Sequence, residues 1–357
     1  MNLIYDNIIF SLQKVGGISL VWSELLKRLI NDEGVNLKCL EYFNKNLFRD
    51  GFDIPPNMIL ENKERLPLFM SRYLNPIQNN FEGIFHSSYY RFIKNKKVCN
   101  ITTVHDFTYE YYRNGLAKKI HTYQKKAAIN KSDKIICISE HTKLDLLKFN
   151  NKISETRVEV VYNGVDSIFK INKDFALLKD LIPFSSNEYL LYVGDRVASY
   201  KNFNMAVETS RMVNMPLVIV GGGELTVLEK SFLDQELNNK YCSLIGVSNK
   251  ILNVLYSNAF CFLYPSLYEG FGLPIVEAQN SGCPIITSSV SSLPEVTGKG
   301  GVLIDNINSS KMSEVVRYLL NNDTKRNSLI SDGLENGKRF SWDLCYKQTK
   351  DIYNKVI

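Results

Sequence analysis

The sequence predicts an α/β protein of two doubly wound, Rossmann-like parallel-sheet domains facing each other across a cleft. Three observations lead there. The chain has 357 residues of which 45% are hydrophobic, and at roughly 100–200 residues per domain that length accommodates two cores. Short apolar runs rich in Val, Ile and Tyr alternate with longer helix-period segments, the pattern of parallel strands covered on both faces. The alternation then restarts after residue 185.

Strands in the first series are expected at Leu3–Phe10, Asn36–Phe43, Gly83–Ser87, Val98–Val104, Lys134–Ile138 and Val158–Tyr162, with helices near 18–31, 117–131 and 140–149. The second series places strands at Tyr189–Val193, Pro216–Val220, Cys242–Ile245, Ala259–Leu263, Pro284–Thr287 and Gly301–Ile304. Helices near 202–213, 224–236, 248–257, 274–281 and 309–321 separate them. Polar breaks and Pro183 mark a boundary between Asn163 and Asn187. The expected organisation is therefore a first domain over 1–165, a hinge over 166–187, a second domain over 188–340, and a helix over 341–357, with Ser341 as its N-cap, returning to the first domain.

Composition excludes several classes. With 20 Gly and 10 Pro the chain is neither disordered nor collagen-like. No apolar run approaches the ~18–20 residues that span a bilayer, and the start MNLIYDNIIF reads as no signal peptide. A cytoplasmic location follows as an expectation. Cys39, Cys99, Cys137, Cys242, Cys261, Cys283 and Cys345 never form C-x-x-C, which favours reduced thiols over disulfides or zinc. His86, His105, His121 and His141 form no H-x-x-x-H pair, so no metal is expected.

Charge is uneven. The net +6 resolves into +7 over residues 1–165 and −1 over 166–357, and 63–131 alone carries 13 basic against 4 acidic residues. Tyr89, Tyr90, Phe92, Tyr109, Tyr111, Tyr112 and Tyr123 interleave that stretch. It suits peripheral contact with an anionic membrane surface, or an acceptor that tyrosines can stack on. No nucleic-acid fold motif accompanies it.

Ligands of doubly wound sheets bind at the carboxyl ends of strands, so the residues just after each predicted strand carry the chemistry. After Ala259–Leu263 comes YPSLYEGFGLPIVEA, with Glu269 in the loop, Gly270 and Gly272 letting backbone approach a ligand, and Pro274 opening a helix. Glu277 is placed in the first helical turn. Ionised carboxylates accept O–H donors, so Glu269 and Glu277 can grip hydroxyls at two points along one ligand. After Tyr189–Val193 comes GDRVASYKN, where Arg196 and Lys201 suit a pyrophosphate: the guanidinium forks onto two oxygens and the ammonium adds a point charge. Gly16 and Gly17 precede a helix start, a natural anion nest. His105 and Asp106 follow Val98–Val104, where a capped turn is the ordinary reading. Gly221-Gly222-Gly223 follows another strand.

YPSLYEGFGLPIVEA resembles the E-x7-E signature of glycosyltransferase family 4, retaining nucleotide-sugar transferases of GT-B fold, and matching pieces run in order from residue 16 to 295. The resemblance implies a role for each. Glu277 would hold ribose hydroxyls of the nucleotide. Glu269 would contact the donor sugar, with Gly270, Phe271, Gly272 and Leu273 supporting it. Arg196 and Lys201 would clamp the diphosphate, Gly16 and Gly17 would lie against it, and Gly222 would pack on the nucleotide. His105 would sit near the donor sugar, beside an acceptor region that includes Asp106, Tyr89 and Tyr109. Ser139–Thr142, Asn163–Asp166 and Ser291–Glu295 are lesser matches. The implied catalytic set is Glu269, His105, Arg196 and Lys201.

The implied activity is transfer of a sugar from a nucleoside diphosphate sugar, of GDP-mannose, UDP-hexose or UDP-N-acetylhexosamine type, to a saccharide or lipid-linked saccharide in surface-polysaccharide synthesis. No cofactor is required. The chain lacks D-x-D, G-x-G-x-x-G, G-x-x-x-x-G-K-[ST] and G-x-S-x-G, which removes the main support for metal-diphosphate, dehydrogenase, P-loop and hydrolase readings. Two alternatives stay open: a sugar-nucleotide 2-epimerase, and a binding module without catalysis.

Overall fold

The computed structural model describes residues 1–60 and 71–356. Two compact units emerge: Met1–Gly164 with Trp342–Ile357, and Val165–Ser341.

The first unit is built on a seven-stranded, wholly parallel sheet. Its strands are β1 (Asn2–Asp6), β2 (Asn36–Leu40), β3 (Ile59–Leu60), β4 (Gly83–Ser87), β5 (Val98–Val104), β6 (Lys134–Cys137) and β7 (Val158–Val160), in the order β3-β2-β1-β4-β5-β6-β7. The helices described are α1 (Ile9–Leu12), α2 (Gly17–Ile30), α3 (Thr108–Tyr112), α4 (Gly115–Lys131), α5 (Glu140–Phe149) and, from the far end of the chain, α13 (Trp342–Asn354). Strand β1 is central because Leu3, Ile4 and Tyr5 are apolar toward both faces and almost wholly buried. Trp22 of α2 stacks on Tyr5 at 3.7 Å and 10°. Tyr353 of α13 donates to or accepts from His86 Nδ1 at 2.6 Å, which ties the last helix to this unit.

The second unit repeats the design with β8 (Leu190–Val193), β9 (Leu217–Val220), β10 (Tyr241–Leu244), β11 (Cys261–Tyr264), β12 (Ile285–Ser288) and β13 (Gly301–Ile304), ordered β10-β9-β8-β11-β12-β13 and all parallel. Helices α6 (Phe203–Val213), α7 (Val227–Leu237), α8 (Asn249–Asn258), α9 (Leu273–Asn280), α10 (Leu293–Thr297), α11 (Ser309–Leu320) and α12 (Asp323–Gly337) cover it. In both sheets the order reverses beside the first strand, between β1 and β4 and between β8 and β11. Such reversal points are where open α/β sheets bind ligands.

Several sequence expectations need correction. Leu3–Phe10 is a strand only to Asp6, since the chain leaves the sheet at Asn7 and makes the helical turn α1. Asn36–Phe43 likewise ends at Leu40. Helices α3 and α12 and the short strand β3 were not anticipated. The segment 166–187, expected as a hinge, is fastened to α8 inside the second unit. Lys170 N–H donates to Asn253 Oδ1 at 3.1 Å, Asn172 N–H to Ser257 Oγ at 3.0 Å, and Asn187 N–H to the Asn258 carbonyl at 2.7 Å.

Residues 63–70 of the basic stretch lie outside the described residues. Within the rest, part of the charge is internal: Arg91 is buried against Asp6, and Lys125 against Glu110. Those two cations shape the core and offer no surface potential.

Candidate functional site

The carboxyl ends of β8 and β11 bring together three side chains that lie far apart in sequence. Lys201 closes the single 3₁₀ turn Ser199–Lys201 after β8. Its Nζ donates to Glu269 Oε1 at 2.6 Å and to the Tyr264 hydroxyl at 3.2 Å, and Tyr264 in turn donates to Glu269 Oε1 at 2.7 Å. Tyr264, the last residue of β11, is buried, and its phenol is held well above the usual value by desolvation, with the Glu269 charge adding to it. Behind the carboxylate, Ser291 Oγ accepts the Glu269 N–H at 3.0 Å, and Ser292 Oγ donates to the carbonyls of Glu269 and Phe271 at 2.9 and 3.0 Å. The S-S-L-P-E loop thus braces the E-G-F-G backbone. Gly272 is the N-cap of α9 with φ 99°, a left-handed conformation that favours glycine. Phe271 turns inward, edge-on to Phe340 at 5.5 Å, and Leu273 is the first residue of α9.

Glu277 is not in the first turn of α9 as expected. The helix begins at Leu273, which puts Glu277 one residue past that turn, where the helix N-terminus gives it little support. Its Oε2 accepts the Tyr256 hydroxyl at 3.2 Å. Burial pushes its carboxyl up to about 7, partly opposed by the Tyr256 hydrogen bond and reinforced by Asp166.

Arg196 is committed elsewhere than toward Lys201. Its side chain is 1% exposed. Nη1 donates to the Gly221 carbonyl, Nη2 to the carbonyls of Gly222, Gly223 and Glu224 at 3.2, 3.0 and 3.2 Å, and Nε to Glu229 Oε1 at 3.2 Å. The glycine-rich loop owes its shape to this guanidinium. Gly221, Gly222 and Gly223 all have positive φ, and a Cβ on Gly222 would lie 2.8 Å from Arg196 Nη1. An anion binding here would have to exchange with carbonyls already satisfied.

In the first unit, Gly16 caps α2 with extended φ of 173°, so neither Gly16 nor Gly17 is needed for a left-handed backbone. A Cβ on Gly17 would meet nothing within 4 Å, leaving its backbone approachable. Part of the expected nest is already used, because Gln13 Oε1 accepts the Ser19 N–H at 3.2 Å.

His105 lies buried at the end of β5, and its Nε2 has no hydrogen-bond partner among the described residues. Burial lowers its pKa to about 4, and the Lys125 charge works in the same direction against the pull of Asp106. The neighbouring Asp106 accepts the Thr108 N–H at 2.8 Å, the capped turn that ordinary reading anticipates. Lys125 fixes this turn from α4: its Nζ donates to the Asp106 carbonyl at 2.9 Å and to Glu110 Oε2 at 2.8 Å, 4.3 Å from the Phe107 ring centre. Tyr89 and Tyr109 gather around a residue not singled out from sequence. Tyr109 stacks on His121 at 3.9 Å and 13°, Tyr89 lies edge-on at 6.2 Å, and Arg72 donates to the Tyr89 hydroxyl at 2.6 Å. His121 Nδ1 is buried without a partner among the described residues, and burial lowers its pKa to about 3.

Sequence reasoning thus missed Tyr264, Tyr256, Lys125 and His121. A tyrosine ending an otherwise apolar strand was the available signal for Tyr264, since strand ends are where such sheets place ligands. Tyr256 meets Glu277 only through the packing of α8 in the second unit, and Lys125 and His121 meet the residues after β5 only through the packing of α4 in the first.

Two family models match the chain in tandem: Glycosyltransferase Family 4 over residues 15–168, and Glycosyl transferases group 1 over residues 177–335. An uncharacterized glycosyltransferase of Methanocaldococcus jannaschii is 25% identical across 96% of this chain and 95% of that protein. The O-antigen chain mannosyltransferase B of Escherichia coli is 34% identical over 46% of this chain and 45% of its own length, so that likeness spans under half of each. Among solved structures, an Anabaena protein crystallised with UDP-glucose superposes with a TM-score of 0.74 at 13% identity, covering 100% of both chains, a likeness of fold. The ordered pair of family matches, the two parallel sheets and the E-x7-E loop at the β11 end agree, and the chain belongs to glycosyltransferase family 4.

Proposed function

We propose that this glycosyltransferase moves a sugar from a nucleoside diphosphate sugar to a hydroxyl of a saccharide or lipid-linked saccharide, with retention at the anomeric carbon, in the synthesis of a surface polysaccharide. The observation that carries this is the Lys201–Glu269–Tyr264 cluster at the sheet reversal point, with Glu277 one helical stretch beyond. Lys201 at present neutralises Glu269. An arriving diphosphate competes for the ammonium and leaves the carboxylate to accept sugar hydroxyls. Glu277 then serves the ribose, and the backbone of Gly270–Leu273 the sugar.

In the transfer step the acceptor oxygen bonds to the anomeric carbon on the face from which the diphosphate oxygen departs. The acceptor's proton passes to the leaving phosphate. Lys201, and Arg196 if it exchanges its loop carbonyls for phosphate oxygens, stabilise the growing negative charge. In the first unit, the unpartnered Nε2 of a neutral His105 is suited to a sugar hydroxyl, and Tyr89 and Tyr109 give the flat faces that saccharides stack on. The E. coli relative is an O-antigen chain mannosyltransferase and the Anabaena neighbour binds UDP-glucose, which supports a nucleotide-sugar donor and leaves GDP-mannose and UDP-hexose both in play.

Release of GDP or UDP that requires added acceptor, with an α-linked product from an α-donor by NMR, tests the reading. Release without acceptor indicates a 2-epimerase, and no release indicates a binding module.

Membrane contact has its own observation. No described helix is long and apolar enough to cross a bilayer. Helix α4, however, exposes Leu116 (71%), Ile120 (40%) and Tyr123 (78%) at i, i+4 and i+7, with Lys119 and Lys126 also exposed. An apolar stripe flanked by lysines suits the interface of an anionic bilayer. Sedimentation with phosphatidylglycerol vesicles at low salt should carry the wild type down and leave Leu116→Glu/Ile120→Glu in solution. Equal partition of both to neutral and anionic vesicles refutes the contact.

A further inference from the structure

Each glutamate of the E-x7-E pair receives one buried tyrosine hydroxyl, and the two tyrosines come from different elements. Tyr264 of β11 serves Glu269, and Tyr256 of α8 serves Glu277. The surroundings otherwise differ. Glu269 has the Lys201 ammonium at 2.6 Å. Among the described residues no lysine or arginine pairs with Glu277, and the ionisable groups that bear on it are Tyr256 from α8 and Asp166 from the segment fastened to α8. From α10, α12 and β12, which also pack on α9, none registers on this carboxyl.

The Tyr256 ring cannot swing away. It is fully buried, edge-on to Phe262 at 5.3 Å and to Phe169 at 6.2 Å. Helices α8 and α9 are further locked by Ser281 Oγ, which donates to Asn253 Oδ1 at 2.7 Å. The tyrosine hydroxyl is therefore a fixed donor aimed at one carboxylate oxygen, leaving the other for a ligand.

We propose that Tyr256 is the positioning residue of Glu277, its fixed hydroxyl favouring the ionised carboxylate that ribose hydroxyls require and so helping to set the pH below which donor binding weakens. This rests on the reading of Glu277 as the ribose contact. The physical basis is a contest. Desolvation disfavours the charged carboxylate and Asp166 adds to that, while the tyrosine hydrogen bond favours it. A protonated Glu277 can accept fewer hydroxyl donors, so affinity for the nucleotide falls as pH drops through the neutral range.

Two measurements on the full chain separate the inference from the reading beneath it. The first is a ¹³C-carboxyl NMR titration of wild type and Tyr256→Phe without ligand. Loss of one hydrogen bond to the ionised form should move the Glu277 midpoint up by about half to one pH unit. An unmoved midpoint refutes the positioning role. The second is calorimetric binding of UDP and GDP from pH 6 to 9. Wild type should weaken below pH 7. Tyr256→Phe should be about threefold weaker at pH 7 and unchanged at pH 9, following the displaced midpoint, and Glu277→Gln should be weak and flat with pH. A Tyr256→Phe curve that matches wild type at every pH means that the ring merely packs, and one lowered by the same factor at every pH means that the hydroxyl does not act through the Glu277 charge; either overturns the proposal. If the NMR midpoint moves but Glu277→Gln binds as wild type does, the ribose assignment fails while the Tyr256–Glu277 coupling stands.

Discussion

Replacing Arg196 by alanine should destabilise the second unit before it tells anything about catalysis. The guanidinium gives its donors to four successive loop carbonyls, Gly221 to Glu224, and to Glu229. Hydrogen bonds from a charged donor contribute about 1.5–3 kcal/mol each in mutational series. They do not add fully here, because a surface loop released from its clamp regains water. A net loss of about 2–4 kcal/mol is the reasonable magnitude. For a unit the size of Val165–Ser341, each kcal/mol moves Tm by about 2–4 °C, so a fall of roughly 5–15 °C follows. Glu229 stays anchored in either case, since its carboxylate also accepts the Thr226 N–H at 2.9 Å in a capping box. Differential scanning fluorimetry of wild type, Arg196→Ala and Arg196→Lys, with and without nucleotide, reads the effect, with the lysine variant intermediate. An Arg196→Ala protein melting within about 1 °C of wild type refutes the loop-anchor argument. It would then leave the diphosphate clamp as the residue's whole purpose.

Two other perturbations probe the remaining site groups. Lys201→Met strips Glu269 of its cation and the departing diphosphate of its counter-charge, so kcat/KM in the nucleotide-release assay should fall by about 10²–10³-fold; a loss under fivefold contradicts the assignment. The first unit should weaken in mild acid, because burial lowers the imidazoles of His86, His105 and His121 to about 3, 4 and 3. With folded values below the usual 6.5, the unfolded chain binds more protons as pH falls from 6.5, so stability present above 6.5 is lost below it. At pH 5 that is about 2 kcal/mol for each of the well-buried His86 and His105, and less for the partly exposed His121. Melting temperatures that stay level from pH 7 to 5 contradict this.

The fold was legible because parallel strands buried on both faces are written as apolar runs, and β8, β9 and β12 stand within a residue or two of where the runs place them. Boundaries failed where apolarity outlasts the strand. Ile8, Ile9 and Phe10 are as buried as β1 but belong to a helical turn, and periodicity cannot separate the two over so short a run. Helix α12 escaped notice because DTKRNSLISDGLENG is polar, with Leu329, Gly333 and Gly337 its buried residues. At the site, the residues that speak in short motifs were visible: Glu269, Glu277, Arg196, Lys201 and the glycines. Their partners were not. That Lys201 pairs with Glu269, 68 positions away, or that Arg196 folds onto Gly221–Glu224, depends on which strand ends are neighbours, and that is a property of strand order.

Strand order also explains why two sheets of like design take unlike roles. At the reversal point of the first sheet, the end of β1 is Asp6, fully buried, with both carboxylate oxygens held by Arg91 and one also accepting from Ser87. Breaking such a buried ion pair costs about 3–5 kcal/mol, so this position serves as a rivet. At the equivalent point of the second sheet the chain places a buried tyrosine beneath a lysine and a carboxylate whose side chains remain partly open, Lys201 at 17% and Glu269 at 12% exposed. A pair that keeps water on one side can exchange partners with a charged ligand at far lower cost, because the attraction it surrenders is already screened. The same architectural position therefore holds the first unit together and, on the function proposed above, would leave the second able to trade its ion pair for a diphosphate.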